Sequence, residues 1–174
     1  MTNKSISAAL PFASGVLQLM IVLNWISAAL IIALLTLTPN REWIMSALKI
    51  GPSPDTERVI FGLRSIAALG LVAVPLHYIG LKRLLAIVES VRSGDPFIAA
   101  NADRLQTVAW MLFAQQSLSI VISTIAKNIS TPAHPVNLSA GFSVNGWLAV
   151  LLTFLLARVF AEGTRMRDDL EGTV

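Results

Sequence analysis

The chain has no cysteine, one tyrosine, two histidines and few charges. Without cysteine there are no disulfides, no thiolate metal sites and no thiol redox chemistry. The two histidines, His77 and His134, stand far apart with no partner at i+4, so a transition-metal site has almost nothing to build from. No serine sits in a Gly-x-Ser-x-Gly setting, and the acids gather near the ends of the apolar runs. The residues therefore point away from an enzyme, and no cofactor or metal is expected.

Charge is the most informative scarcity. Only 13% of the 174 residues are Asp, Glu, Lys or Arg, against about 25% in a soluble domain. The charge-free stretches are long. None occurs between Lys4 and Arg41 or between Arg104 and Lys127, and Arg64 alone interrupts Arg58 to Lys82. With 55% hydrophobic residues and a mean hydropathy of +0.70, these runs match the roughly 20 apolar residues that cross a bilayer as helix. The first run is far longer than the roughly 7–15 residues of a signal-peptide core, and is read as a retained helix.

The expected fold is all-α, an integral membrane bundle of four transmembrane helices in a single domain spanning residues 1–174. Spans are placed at about 11–38, 59–81, 105–126 and 143–160. An interfacial helix at about 40–50 begins at Asn40, carries Trp43 and stops at Gly51-Pro52. Ser53 and Pro54 read as the cap and first turn of the second helix. That helix should run past Lys82-Arg83 by two or three turns, since Leu84, Leu85, Ile87, Val88 and Val91 continue its apolar pattern. Pro75 lies inside it. Ser93-Gly94-Asp95-Pro96 is the clearest break, with Gly94 as the closing cap and Asp95 and Pro96 opening the next helix. After the fourth span an amphipathic tail places Arg158 and Glu162 at i,i+4 spacing.

Net charge is +3 and the pI about 9.8. In a membrane chain this balance reflects Lys and Arg held on the cytoplasmic side, and direct nucleic-acid binding is not expected. With the amino terminus inside, Lys4, Lys82, Arg83, Arg92, Arg104, Arg158, Arg165 and Arg167 fall on the cytoplasmic side, the larger share of the 13 basic residues. Both termini are thus expected in the cytoplasm, with cytoplasmic helix extensions.

Candidate ligand-pocket residues are Asn24, Arg64, Gln115, Gln116, Ser119 and Thr153. An arginine within a span is costly unless it pairs or snorkels, so Arg64 reads either as a snorkelling cation or as a contact for an anionic ligand. Gln116, Ser119 and Ser123 share one helix face, with Asn24 and Thr153 at similar depth. That layer is either a polar midplane pocket for a small or lipid-like ligand, or interhelical hydrogen bonding. Small residues at Ala29–Ala33 and Gly62–Gly70 would also allow a homo-oligomer.

Two segments carry a resemblance. Ser93-Gly94-Asp95-Pro96-Phe97, followed by Asn101 and Arg104-Leu105, resembles the junction of a bacterial membrane-protein family catalogued as domain of unknown function family 2975. Val159-Phe160-Ala161-Glu162-Gly163, then an acidic stretch and Thr173-Val174, resembles that family's close, with a departure at Glu171-Gly172. The resemblance implies a four-span protein of the bacterial cytoplasmic (inner) membrane, encoded beside a small helix-turn-helix protein of the Cro/CI type. It thereby implies a non-enzymatic regulatory or interaction protein, the membrane partner of a transcription regulator. Mapped here, the partner-facing candidates are Gly94, Asp95, Pro96, Phe97, Asn101 and Arg104 with Arg158, Phe160, Glu162 and Gly163. The alternative is a small-ligand, lipid-binding or transport-associated membrane protein using the midplane layer. Gly94, Asp95 and Pro96 are also the residue types that a tight interhelical turn requires.

Overall fold

The computed structural model describes residues 3–37, 42, 45–46, 56–130 and 140–171, with side chains in the first helix from Leu10 onward. Four long helices account for nearly all of them: α1 (Asn3–Leu37), α2 (Thr56–Arg92), α3 (Ala99–Ile129) and α4 (Val144–Glu171). Each contains a segment long and apolar enough to cross a membrane, at Leu10–Leu37, Thr56–Arg92, Ala99–Ile129 and Val144–Leu170. The expected spans at about 59–81 and 105–126 fall inside α2 and α3, and those at about 11–38 and 143–160 overlap α1 and α4 over all but one residue each. The run of α2 beyond Lys82-Arg83 is helical to Arg92, as its apolar periodicity requires. The expected interfacial helix and the caps at Ser53 and Pro54 lie mostly outside the described residues.

Successive helices run antiparallel. Asn24 of α1 donates through Nδ2 to the Val74 carbonyl of α2 at 3.2 Å, and Trp25 meets Tyr78 edge-on at 5.6 Å. Gly80 of α2 faces Met111 of α3, and Gly62 faces Ile129. Trp110 of α3 meets Phe154 of α4 at 5.3 Å, and Phe97 meets Phe160. The end of α2, the start of α3 and the end of α4 thus share one end of the molecule, called here the junction end.

Among the described residues, sustained packing joins only sequence neighbours: α1 with α2, α2 with α3, α3 with α4. The helices form an open row, a packing order that the expectation of a four-helix bundle left unspecified. The physical reason lies in the solvent. Lipid tails are as apolar as leucine, so nothing drives the outer faces of α1 and α4 to find each other. Those faces carry Phe12, Leu19, Leu30, Leu151, Leu155 and Val159, all exposed. The seams use small residues: Ala28, Ala67, Ala102, Ala109, Ala126 and Ala157 are buried and bring backbones close.

Candidate functional site

The junction is built from the end of α2 outward. Gly94 has φ +89°, a left-handed conformation that costs glycine nothing. Asp95 N–H donates to the Ser90 carbonyl and Gly94 N–H to the Val91 carbonyl, both at 3.1 Å. This six-to-one and five-to-two pair is a Schellman close, and Gly94 caps α2 as expected. The next helix starts later than Asp95 and Pro96. α3 begins at Ala99, capped by Ile98 in extended conformation without a side-chain hydrogen bond. Asp95 is already committed elsewhere, its amide to α2 and its carboxylate to Arg167 of α4.

Asn101 secures the turn from inside α3 without capping the helix. Its side chain is fully buried, and Nδ2 donates to Ser90 Oγ at 2.6 Å and to the Pro96 carbonyl at 2.8 Å. Its Oδ1 accepts from the Arg104 guanidinium at 2.8 Å, and Arg104 also donates to the Ala86 carbonyl at 3.2 Å. One amide therefore ties α2, the turn and α3 together.

The turn is then clamped onto α4. Phe97 and Phe160 lie 5.4 Å apart, and the Phe97 ring packs over Gly163, where an added Cβ would stand 3.5 Å away in ordinary contact. Arg167 bonds both the Asp95 carboxylate and the Phe97 carbonyl. The two sequence motifs, more than sixty residues apart, meet as one unit.

The partner-facing candidates accordingly divide. Gly94, Asp95, Pro96, Phe97, Phe160 and Gly163 assemble in the turn and its clamp. Asn101 and Arg104 turn inward, onto backbone and side-chain acceptors of α2. Arg158 and Glu162 are both exposed, and the expected pair between them is not formed. Arg158 instead lines a groove of about 280 Å³ between α3 and α4 with Asp103, Gln106, Phe154 and Ala161. Ser90, Arg167 and Asp103 were not singled out in the sequence. Their signal is positional: Ser90 and Arg167 stand about one turn from the motif residues Ser93 and Gly163, and Asp103 is next to Arg104.

The ligand-pocket candidates are spread over three seams. Asn24 bonds α2 from α1. Gln115 faces a mainly apolar cavity of about 120 Å³ between α2 and α3, beside Leu76, Leu84 and Met111, and its Oε1 is buried with no hydrogen-bond partner. Gln116 packs on Gly146 of α4 so closely that no Cβ would fit beside it unless the glutamine moved. Ser119 accepts a hydrogen bond from the Gly141 amide at 2.9 Å. Thr153 bonds the Ala149 carbonyl of its own helix. Arg64 is half-buried on α2.

Among the described residues, no three His, Asp or Glu side chains converge as a metal site would require. Asn101, Arg104 and Arg167 each donate to acceptors within the fold, and these bonds hold the junction as a clamp. No curated protein and no solved structure matches the chain. A family model does, over residues 42–174, which takes in α2, α3, α4 and the junction where both motifs meet: the chain belongs to the family described as protein of unknown function (DUF2975).

Proposed function

We propose that this is a non-enzymatic regulatory or interaction protein of the bacterial inner membrane, with the junction end in the cytoplasm, where it holds a small helix-turn-helix transcription regulator. The observation that supports it most is the exposed apolar surface on a rigid mount. Phe97 and Met166 remain 47% and 58% exposed beside the Asp95–Arg167 ion pair, with Leu170 one turn further along α4. Arg165 and Asp168 flank them on the same charged tail. Apolar residues rimmed by charge are the usual composition of a protein-binding patch. Here the patch sits at the end of α4 where Arg165, Arg167, Asp168 and Asp169 make the helix strongly charged.

The test is co-purification. The full chain, solubilised in mild detergent and co-expressed with the product of the neighbouring gene, is expected to retain a helix-turn-helix protein. Met166→Asp together with Leu170→Asp should abolish retention while leaving the melting temperature of the membrane protein unchanged. Recovery of no helix-turn-helix protein with the wild-type chain would remove this reading.

A further inference from the structure

The groove between α3 and α4 lies apart from the junction clamp and carries a chemistry of its own. Asp103 and Gln106 come from α3, Arg158 and Phe154 from α4, and its volume is about 280 Å³. That sits near the lower bound of small-molecule sites, roughly 300–1,000 Å³, and suits a headgroup better than a whole lipid. Asp103 and Arg158 line it with opposite charges, yet among the described residues neither forms an ion pair. Its floor is formed by Ala102 and Ala157, both nearly buried, whose small side chains leave the space open.

The heights of the groups are ordered. Phe154 touches Trp110 across the seam, which sets a common level. From there Arg158 stands four residues toward the junction end and Asp103 seven, about 6 Å and about 10 Å at 1.5 Å per residue. Moving outward from the hydrocarbon, a ligand meets an aromatic pair, then a guanidinium, then a carboxylate. Below that level the aromatic face continues: Trp110 meets Phe113 at 5.7 Å, Phe113 meets Trp147 at 5.6 Å, and Trp147 stacks on Phe142 at 6.4 Å. Trp110 and Phe113 are exposed to what is lipid in a membrane.

We infer that this groove binds a zwitterionic phospholipid with an ethanolamine headgroup. Its phosphate lies against Arg158, its ammonium against Asp103, and an acyl chain runs along Trp110, Phe113 and Trp147. The charge order is what selects it. An anionic glycerol headgroup offers Asp103 hydroxyl donors but no cation, and its net negative charge is repelled by the carboxylate. A choline headgroup has the right charges but no N–H to donate to the carboxylate, and charge-assisted hydrogen bonds of that kind are the strong ones. The phospholipid ladder of glycerol, phosphate and ammonium matches the protein ladder of aromatic pair, Arg158 and Asp103.

The experiment presents the purified full chain with equal amounts of phosphatidylethanolamine, phosphatidylcholine and phosphatidylglycerol in mixed micelles, and reads retained lipid by native mass spectrometry. Phosphatidylethanolamine should exceed each of the others by about tenfold, the scale of one charge-assisted hydrogen bond. Asp103→Asn should erase that preference and raise phosphatidylglycerol, because Arg158 then acts alone. Arg158→Gln should lower all three, and Glu89→Gln, exposed on α2 away from the groove, should change none. A photoreactive phosphatidylethanolamine should crosslink to α3 and α4 of the wild-type chain, a readout that needs no variant to fold. Equal retention of the three headgroups, an unchanged preference in Asp103→Asn, or crosslinks confined to other helices would each overturn the assignment.

Discussion

Asn101 concentrates more of the junction than any other side chain. It is fully buried and uses both ends of its amide, donating to Ser90 and Pro96 and accepting from Arg104. Truncation to alanine strands a backbone carbonyl and part of a guanidinium, and each unsatisfied buried group costs about 1–3 kcal/mol. Asn101→Ala is therefore expected to destabilise the protein by about 2–4 kcal/mol, measured by unfolding in detergent micelles. Ser90→Ala removes a single acceptor and should cost about 1 kcal/mol. A loss no larger for Asn101→Ala than for Ser90→Ala would mean the network is ornamental. Gln115 presents the opposite case. Its Oε1 is buried against an apolar cavity without a hydrogen-bond partner, so Gln115→Leu should raise stability by about 1 kcal/mol. A lowered melting temperature for Gln115→Leu would show that the amide is engaged in the membrane after all.

Between helices, a tight constraint lies in the α2–α3 seam at the end far from the junction. A Cβ at Gly62 would fall 2.3 Å from Ile129 Cγ2, and Ile129 is itself buried. Gly62→Ala should cost about 1–3 kcal/mol, the usual penalty of overpacking. Adding Ile129→Ala to Gly62→Ala should recover part of that loss, although Ile129→Ala alone is destabilising, and the double-mutant cycle in micelles reads this coupling directly. Additive losses would mean that the seam opens freely at that end.

Element boundaries were legible wherever charge and hydropathy change abruptly. The charge-free stretch from Lys4 to Arg41 marks α1, and the apolar period past Lys82 carries α2 to Arg92. Gly94 was legible as a cap, because a glycine after a long apolar helix has few other uses. Asp95 was misread as the opening of α3. Its real commitments are a hydrogen bond from its N–H to the Ser90 carbonyl and an ion pair with Arg167, and the second depends on a helix more than seventy residues away. The same limit hid the inward turn of Asn101 and the separation of Arg158 from Glu162. Periodicity gives the face of a residue but not the neighbour opposite, and in lipid an apolar face predicts no partner at all. The open row was invisible for that reason.

At the scale of the molecule, the alternation of four helices puts the end of α2, the start of α3 and the end of α4 on one side, and the basic residues cluster there. Lys82, Arg83, Arg92, Arg104, Arg165 and Arg167 fall within or just beyond the junction-end stretches of their helices. The positive-inside rule then predicts that a fluorescent protein fused after Val174 matures in the cytoplasm, while alkaline phosphatase at the same place stays inactive. Active phosphatase at that position would invert the orientation and remove the regulator from the compartment proposed for it.

The open row also bears on how the protein is made. Order along the chain equals order in space, so each helix leaving the ribosome meets a neighbour that is already in the bilayer, and no earlier contact has to be broken to admit it. Assembly can proceed by lateral addition, with the Gly94 turn delivering α3 against α2 and the α4 clamp sealing the edge last.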